Sequence, residues 1–322
     1  MPDQPDSPTA NPAADASLSL DVRAATGIDG LDELLDGGLP TRELILIQGS
    51  PGTGKTTLGL QFALAGVAAG EKVLYLSMSE TDREIRRIAL SHGWSLEGIE
   101  LQHRNSAQLF DTEQHQTMLH PAEVELPATA SAVLSILEET KPQRVVIDSL
   151  SELRMLARDP AWYRRQILRL KQQLSRHGCT PLLLDDTRAE SPDHNVQSLA
   201  SGVIALDREL CEYGPARRHL TILKIRGQDF DDGRHDMVIQ KGGLRVFPRL
   251  VAARHREPAP RELFSSGVAE LDALLGGGID SGSSVLLIGP TGTGKSTLGM
   301  QCLAAAAERE QPCAAFVFDE RV

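Results

Sequence analysis

Residues 44–57 read Leu44-Ile45-Leu46-Ile47-Gln48-Gly49-Ser50-Pro51-Gly52-Thr53-Gly54-Lys55-Thr56-Thr57, an apolar run, a glycine-rich turn, then a lysine and two hydroxyls. Gly49 to Thr56 fits G-x-x-x-x-G-K-[ST], directly after a predicted strand and directly before a predicted helix over Thr56 to Ala69, the context this pattern requires. Each residue type has a chemical reason. Glycines let the backbone curl so that successive N–H groups point at a β-phosphate, and the helix N-terminus adds its partial positive charge. Lys55 would reach the β- and γ-phosphates, and the Thr56 hydroxyl would complete a Mg²⁺ site.

The chain carries this pattern twice. The segment from Gly27, GIDGLDELLDGGLP, returns 240 residues later from Gly267 as GVAELDALLGGGID, and GSPGTGKTTLGLQ from Gly49 returns at the same offset from Gly289 as GPTGTGKSTLGMQ. Ser79-Glu80 likewise falls opposite Asp319-Glu320. A tandem duplication of a unit of about 240 residues is the expected origin. Arginines outnumber lysines 26 to 7, yet both loops hold lysine; a compact ammonium fits there where a planar guanidinium would not. The expected layout is an arm over 1–20, rich in Pro, Asp, Ser and Ala and too poor in apolar residues to order itself. A first domain over 21–250, a linker over 251–262 and an incomplete second copy over 263–322 follow. A repeat stopped at Val322 cannot close a sheet or bury its faces. The sequence is therefore expected to be a piece of a longer protein, the other reading being that its last segment packs onto something else.

The first copy alternates strand and helix. Apolar runs at Leu44–Ile47, Lys72–Leu76, Arg144–Ile147 and Pro181–Leu184 are predicted strands, with helices at Thr56–Ala69 and Trp162–His177 between them. That alternation predicts an α/β fold with a mostly parallel central sheet flanked by helices. After Gly202 the pattern changes to strands joined by hairpins, at Val203–Leu206, His219–Ile225 and MVIQKGGLRVF, which suggests an antiparallel end to the sheet. Asp148 closes the strand RVVID, taken to lie beside the loop strand, where a carboxylate can hold Mg²⁺ as the second motif of phosphate-loop enzymes requires.

The 322 residues suggest about two domains and allow a sizeable core. Thirty-three basic against 44 acidic residues give a net charge of −11, which disfavours work centred on neutralising a nucleic-acid backbone. No stretch approaches the ~18 uninterrupted apolar residues of a membrane span. The acidic, proline-bearing N-terminus lacks the basic start and apolar core of a signal peptide. Cys179, Cys211, Cys302 and Cys313 are too scattered for a disulfide framework or zinc site and fit free thiols in a reducing cytoplasm.

GIDGLDELLDGGLP before the loop, LSMSETDREI and SHGW after it, RVVIDSLSELR, the pair ALDRE and ARRHLTILKIRG, and the tandem repeat together resemble the KaiC-like branch of the RecA-fold ATPases, from Asp21 to Val322. The resemblance implies a homo-hexameric ring with ATP and Mg²⁺ between neighbouring subunits, and regulatory protein partners of unknown identity. One subunit would supply Gly49 to Thr57, Glu80, Ser91 and Asp148, with Thr56 and Asp148 on the metal. The next would reach across with Lys224, Ile225 and Arg226 of the KIRG segment. A strand presenting Lys and Arg two residues apart on one face suits the charge-neutralising finger of phosphoryl transfer. In the second copy the equivalents are Gly289, Thr291, Gly292, Thr293, Gly294, Lys295, Ser296, Thr297 and Glu320, with Ser296 on its metal. The family pattern has Glu-Glu after the second strand, where one carboxylate orients or deprotonates water. Here Ser79 replaces the first acid, so slow hydrolysis with Glu80 as the remaining base is expected. Autokinase activity, carried in the family by a complete second domain, is not assigned.

Two other readings share these residues. A strand-exchange or helicase relative would use a central channel for single-stranded DNA, but the acidic charge and 12 aromatic residues leave little for stacking bases. A non-catalytic, ATP-clamped scaffold is the other. The arginine-rich stretches Arg83–Arg87 and Tyr163–Arg165 alternate with acids and apolar residues at helical spacing and read as solvated helix faces. Trp94 and Trp162 read as packing residues.

Overall fold

The computed structural model describes residues 22–103, 133–155, 157, 159–186, 194–250 and 262–318. The arm at 1–20, nearly all of the linker and Glu320 lie outside them. The chain divides into two compact units, Met1–Arg249 and Leu250–Val322.

In the first unit, short strands β1 (Arg23–Ala24) and β2 (Leu39–Pro40) flank helix α1 (Leu31–Leu34). The nine-stranded sheet comprises β3 (Ile45–Gly49), β4 (Val73–Ser77), β5 (Ile99–His103), β6 (Arg144–Asp148), β7 (Thr180–Asp186), β8 (Gly202–Glu209), β9 (Arg217–Ile225), β10 (Arg234–Gln240) and β11 (Gly243–Phe247). Their spatial order is β11-β10-β9-β8-β3-β7-β6-β4-β5. From β8 through β5 neighbouring strands are parallel, and β9, β10 and β11 extend the β8 edge antiparallel, as the hairpin pattern predicted.

Helices α2 (Lys55–Ala68), α3 (Asp82–His92), α4 (Leu150–Met155), α5 (Pro160–Arg176) and α6 (His194–Leu199) fill the crossovers. Strand periodicity decides what each covers, because successive side chains point to opposite faces. Ile45, Ile47, Tyr75, Val146, Leu182 and Leu184 join one buried cluster with Leu58 and Phe62 of α2 and Ile85 of α3. Leu44, Leu46, Leu74, Leu76, Val145, Ile147 and Leu183 join the other with Leu153 of α4 and Ile167, Leu170 and Leu174 of α5. Both sheet faces are thus dry, which explains continuous apolar strands instead of alternating ones. Local signals set the helix ends. Thr81 and Glu84 form a reciprocal capping box on α3, which stops at left-handed Gly93; Asp159 caps α5 with Pro160 in its first turn. Trp94 and Trp162 pack against the two clusters.

One expectation fails. Asp148's strand does not lie beside the loop strand, because β7 is inserted between β3 and β6. The crossover through α5 returns β7 to the vacant edge of β3, and the strand next to the phosphate loop therefore ends in Asp185-Asp186, with Asp186 in register with Gly49.

The second unit holds β12 (Leu263–Phe264), α7 (Ala269–Leu274), β13 (Ile279–Asp280) and α8 (Lys295–Glu308), with β12 and β13 paired antiparallel. The segment Val285–Ile288, counterpart of β3, has no strand partner among the described residues and is exposed, as are Phe316 and Phe318. A strand is assigned only where a neighbour completes the ladder, and none of the described residues does so here.

Candidate functional site

The site lies where the parallel strands end, the edge at which open α/β sheets bind ligands. β3 runs into the loop at Gly49, and α2 starts from Gly54, whose φ of 112° is open to glycine; no side chain caps this end, which leaves the first N–H groups directed into the loop. Gly49 is required sterically, since a Cβ there would lie 2.6 Å from Leu206 O and from Thr53 Oγ1. Thr53 closes the turn, donating through N and Oγ1 to Ser50 O at 3.3 and 2.9 Å.

Pro51, Gly52, Gly54, Lys55, Thr56, Thr57, Ser79, Glu80, Asp148 and Asp186 line one cavity of about 350 Å³, with Ser149, Ile88 and Ile239 completing the wall. The Lys55 ammonium folds back over the loop, donating to Gly49 O at 2.8 Å and Ser50 O at 3.0 Å, and forms an ion pair with Asp186 Oδ1 at 2.6 Å. Thr56 Oγ1 and Tyr75 OH both donate to Asp148 Oδ2 at 2.8 Å. Burial, then the charge of Glu80, pushes the Asp148 carboxyl up to about 6, and burial with the same carboxylate raises the Tyr75 hydroxyl well above its ordinary value. Glu80 is fixed through its backbone, its N–H donating to Ser77 Oγ at 3.1 Å while that hydroxyl donates to Glu80 O at 2.6 Å; Ser79 Oγ donates to Glu80 Oε2 at 2.8 Å. Burial also raises Glu152, with Asp186 and Glu80 adding to the effect. The hydroxyl and carboxylate oxygens of Thr56 and Asp148 are hard donors of the kind Mg²⁺ takes.

The remaining predicted residues sit elsewhere. Ser91 is exposed on α3 and donates to Ile88 O at 2.7 Å, outside the cavity. Lys224 donates to Gln197 O at 2.6 Å and Arg226 to Ser198 O at 3.1 Å, so both heads lie over α6 while Ile225 between them is buried. Burial, then Arg226 and Lys171, lowers the Lys224 ammonium. Neither lines this chain's own cavity. In the second unit Lys295 donates to Gly289 O at 2.7 Å and Pro290 O at 2.8 Å, and Thr293 Oγ1 donates to Pro290 O at 2.8 Å. Thr291, Gly292, Thr293, Gly294, Ser296 and Thr297 are exposed.

Sequence reading missed Asp186, Tyr75 and the network behind them. Asp186 Oδ2 accepts from Ser151 Oγ at 3.1 Å, and Arg154 pairs with buried Asp185 at 2.5 Å. Gln48 Nε2 donates to Asp185 Oδ2 at 3.4 Å, and Gln48 Oε1 accepts from Gln197 Nε2 at 2.6 Å. Two acids ending the run PLLL were the available signal; only the strand order gives it meaning.

The family model of the KaiC ATPase matches residues 24–251 and again 264–322. The chain belongs to the KaiC ATPase family. Among its relatives, the circadian clock oscillator protein KaiC of Parathermosynechococcus lividus is 28% identical over 343 residues, covering 99% of this chain and 62% of the relative. Those of Acaryochloris marina and Synechococcus elongatus are 29% and 28% identical over 309 residues, each covering 93% of this chain and 58% of the relative. This KaiC-family chain spans about three fifths of the length of these relatives. No described helix is long and apolar enough to cross a membrane.

Proposed function

We propose that this KaiC-family chain binds ATP with Mg²⁺ and hydrolyses it slowly, as a regulatory ring protein whose nucleotide is clasped between neighbouring copies. The observation that carries the reading is the convergence of Lys55, Thr56, Asp148 and Glu80 on one cavity at the start of α2. The loop N–H groups and Lys55 would hold the phosphates, and Thr56 with Asp148 would hold the metal. Mg²⁺ in that seat would neutralise charge developing on the phosphoryl oxygens. Glu80, steadied by Ser77 and Ser79, would orient the attacking water. Hydrolysis requires charge compensation on the γ-phosphate beyond Lys55. Lys224 and Arg226 stand away from their own cavity, which supports a role on the neighbouring copy's nucleotide.

We further propose that 263–322 is the first part of a second KaiC-like domain, a tandem repeat of the start of the first. Equivalent residues make equivalent contacts 240 positions apart. Thr26 and Ser266 donate their backbone N–H to Oδ1 of Asp32 and Asp272 at 2.7 and 2.8 Å, and each loop lysine seats on two loop carbonyls.

The test is light scattering behind size-exclusion chromatography, with and without ATP and Mg²⁺, followed by mixing Lys55→Ala with Arg226→Ala. Nucleotide-dependent oligomers and recovered turnover in the mixture are expected. A monomer indifferent to ATP, or a mixture as inactive as its parts, overturns the reading.

A further inference from the structure

The cavity is electrostatically lopsided. Among the described residues that line it, Lys55 is the one cation, against the carboxylates of Glu80, Asp148 and Asp186. Asp186 is the unusual member. It is not carried by the loop or by the strand that ends in Asp148, but by β7, whose insertion beside β3 puts it level with Gly49. It also holds the lysine that would grip phosphate, at 2.6 Å.

The carboxylate is anchored. Its Oδ2 accepts from Ser151 Oγ, and the Asp186 backbone carbonyl accepts from Arg154 Nη1 at 3.4 Å, the same guanidinium that pairs with Asp185 next door. A nucleotide that takes Lys55 away from Asp186 therefore leaves a fixed negative charge beside its phosphates, together with Asp148 and Glu80. A bare polyphosphate meets net repulsion there. A cation on the Thr56 and Asp148 oxygens offsets it.

We propose that Asp186 is a specificity-determining residue that makes the site select metal-loaded over metal-free nucleotide. The inference rests on the ATP-binding reading above and adds to it the form of the ligand. With the carboxylate removed, metal-free ATP loses a repulsive neighbour and finds Lys55 unengaged, whereas Mg²⁺-ATP gains little because the cation already balances that charge.

Equilibrium binding of a fluorescent ATP analogue to the full chain, in EDTA and in excess Mg²⁺, separates the two forms without relying on turnover. In Asp186→Asn, and in Asp186→Ser as a second variant with a different shape, metal-free affinity is expected to rise at least about tenfold, about 1.4 kcal/mol. Affinity for the Mg²⁺ form should change less than about threefold, and the metal-free gain should shrink with added salt because the pair is partly exposed. Equal gains in both forms would make Asp186 a simple competitor for Lys55 and overturn the proposal, as would no gain in either. Those outcomes leave ATP binding standing. A parent chain that binds the analogue in neither condition overturns both readings.

Discussion

Asp148 should destabilise the free protein, and replacing it should reveal by how much. Its carboxyl rises from 3.8 to about 6 on folding, burial being the main cause and Glu80 the second. At 1.36 kcal/mol per pH unit this is about 3 kcal/mol of native-state penalty once the group is ionised in both states. The sign follows from proton binding. Between pH 3.8 and about 6 the native state holds a proton the unfolded chain has lost, so stability falls as pH rises through this window and levels off above it. Asp148→Asn copies the protonated form, and its Oδ1 can still accept from Thr56 and Tyr75 as Asp148 Oδ2 does now. In urea unfolding followed by circular dichroism, without metal or nucleotide, the variant should exceed the parent by about 2–3 kcal/mol at pH 8, with the difference shrinking steadily toward pH 4. Titrating groups that do not interact with Asp148 cancel in that difference. A variant less stable than the parent at pH 8, or a gap that ignores pH, would refute the assignment of Asp148 as a buried, charge-strained carboxylate. Adding Mg²⁺ and ATP should stabilise the parent more than the variant, which lacks a carboxylate for the metal, because ligand binding to the native state alone raises stability.

Other expectations concern the scaffold and the chemistry. Arg144, 2% exposed, binds both Glu71 oxygens at 2.6 and 3.1 Å, reaches the carbonyls of Ala25 and Phe62, and lies over the Phe62 ring; Arg144→Met should cost about 3–5 kcal/mol by denaturant unfolding, and less in a Glu71→Gln background. Gln61 pins α2 to β11 through both Leu244 backbone groups, at 3.1 and 2.7 Å, so Gln61→Ala should cost about 1–3 kcal/mol, read as a lower urea midpoint. Glu80→Gln should lower steady-state ATP turnover by about 100-fold while leaving nucleotide affinity within a few-fold, the pattern for loss of a general base. Turnover equal to the parent's would instead favour a clamp that does not hydrolyse.

What the sequence revealed were features written along the chain. The loop, its flanking strand and helix, and Asp148 are legible because motif spacing and apolar runs are local, and the strands at Ile45–Gly49 and Arg144–Asp148 fall within a residue or two of the expected bounds. Strand order is a different kind of information. Nothing in RVVID or PLLLDD states which of them borders β3, since both are uniformly apolar and both faces of the sheet are covered. The assumption that Asp148 neighbours the loop failed for that reason, and the ion pair between Lys55 and Asp186 stayed hidden behind it.

The same distinction explains Val285–Ile288. Its apolar pattern matches that of Ile45–Gly49, whose three apolar residues are fully buried between β7 and β8, yet among the described residues it has neither neighbour and exposes Ile288 by 86%. A strand sequence encodes a capacity to pair and bury, and the partners decide whether it does. Lys55 and Lys295 extend the point to the site. Both lysines rest on two loop carbonyls at 2.7–3.0 Å, because that contact is local. The first also meets a carboxylate, and that partner comes from a strand more than 120 residues further along the chain. The local part of the contact is thus written in the loop itself, whereas the carboxylate on Lys55 is a property of the sheet that brings β7 beside β3.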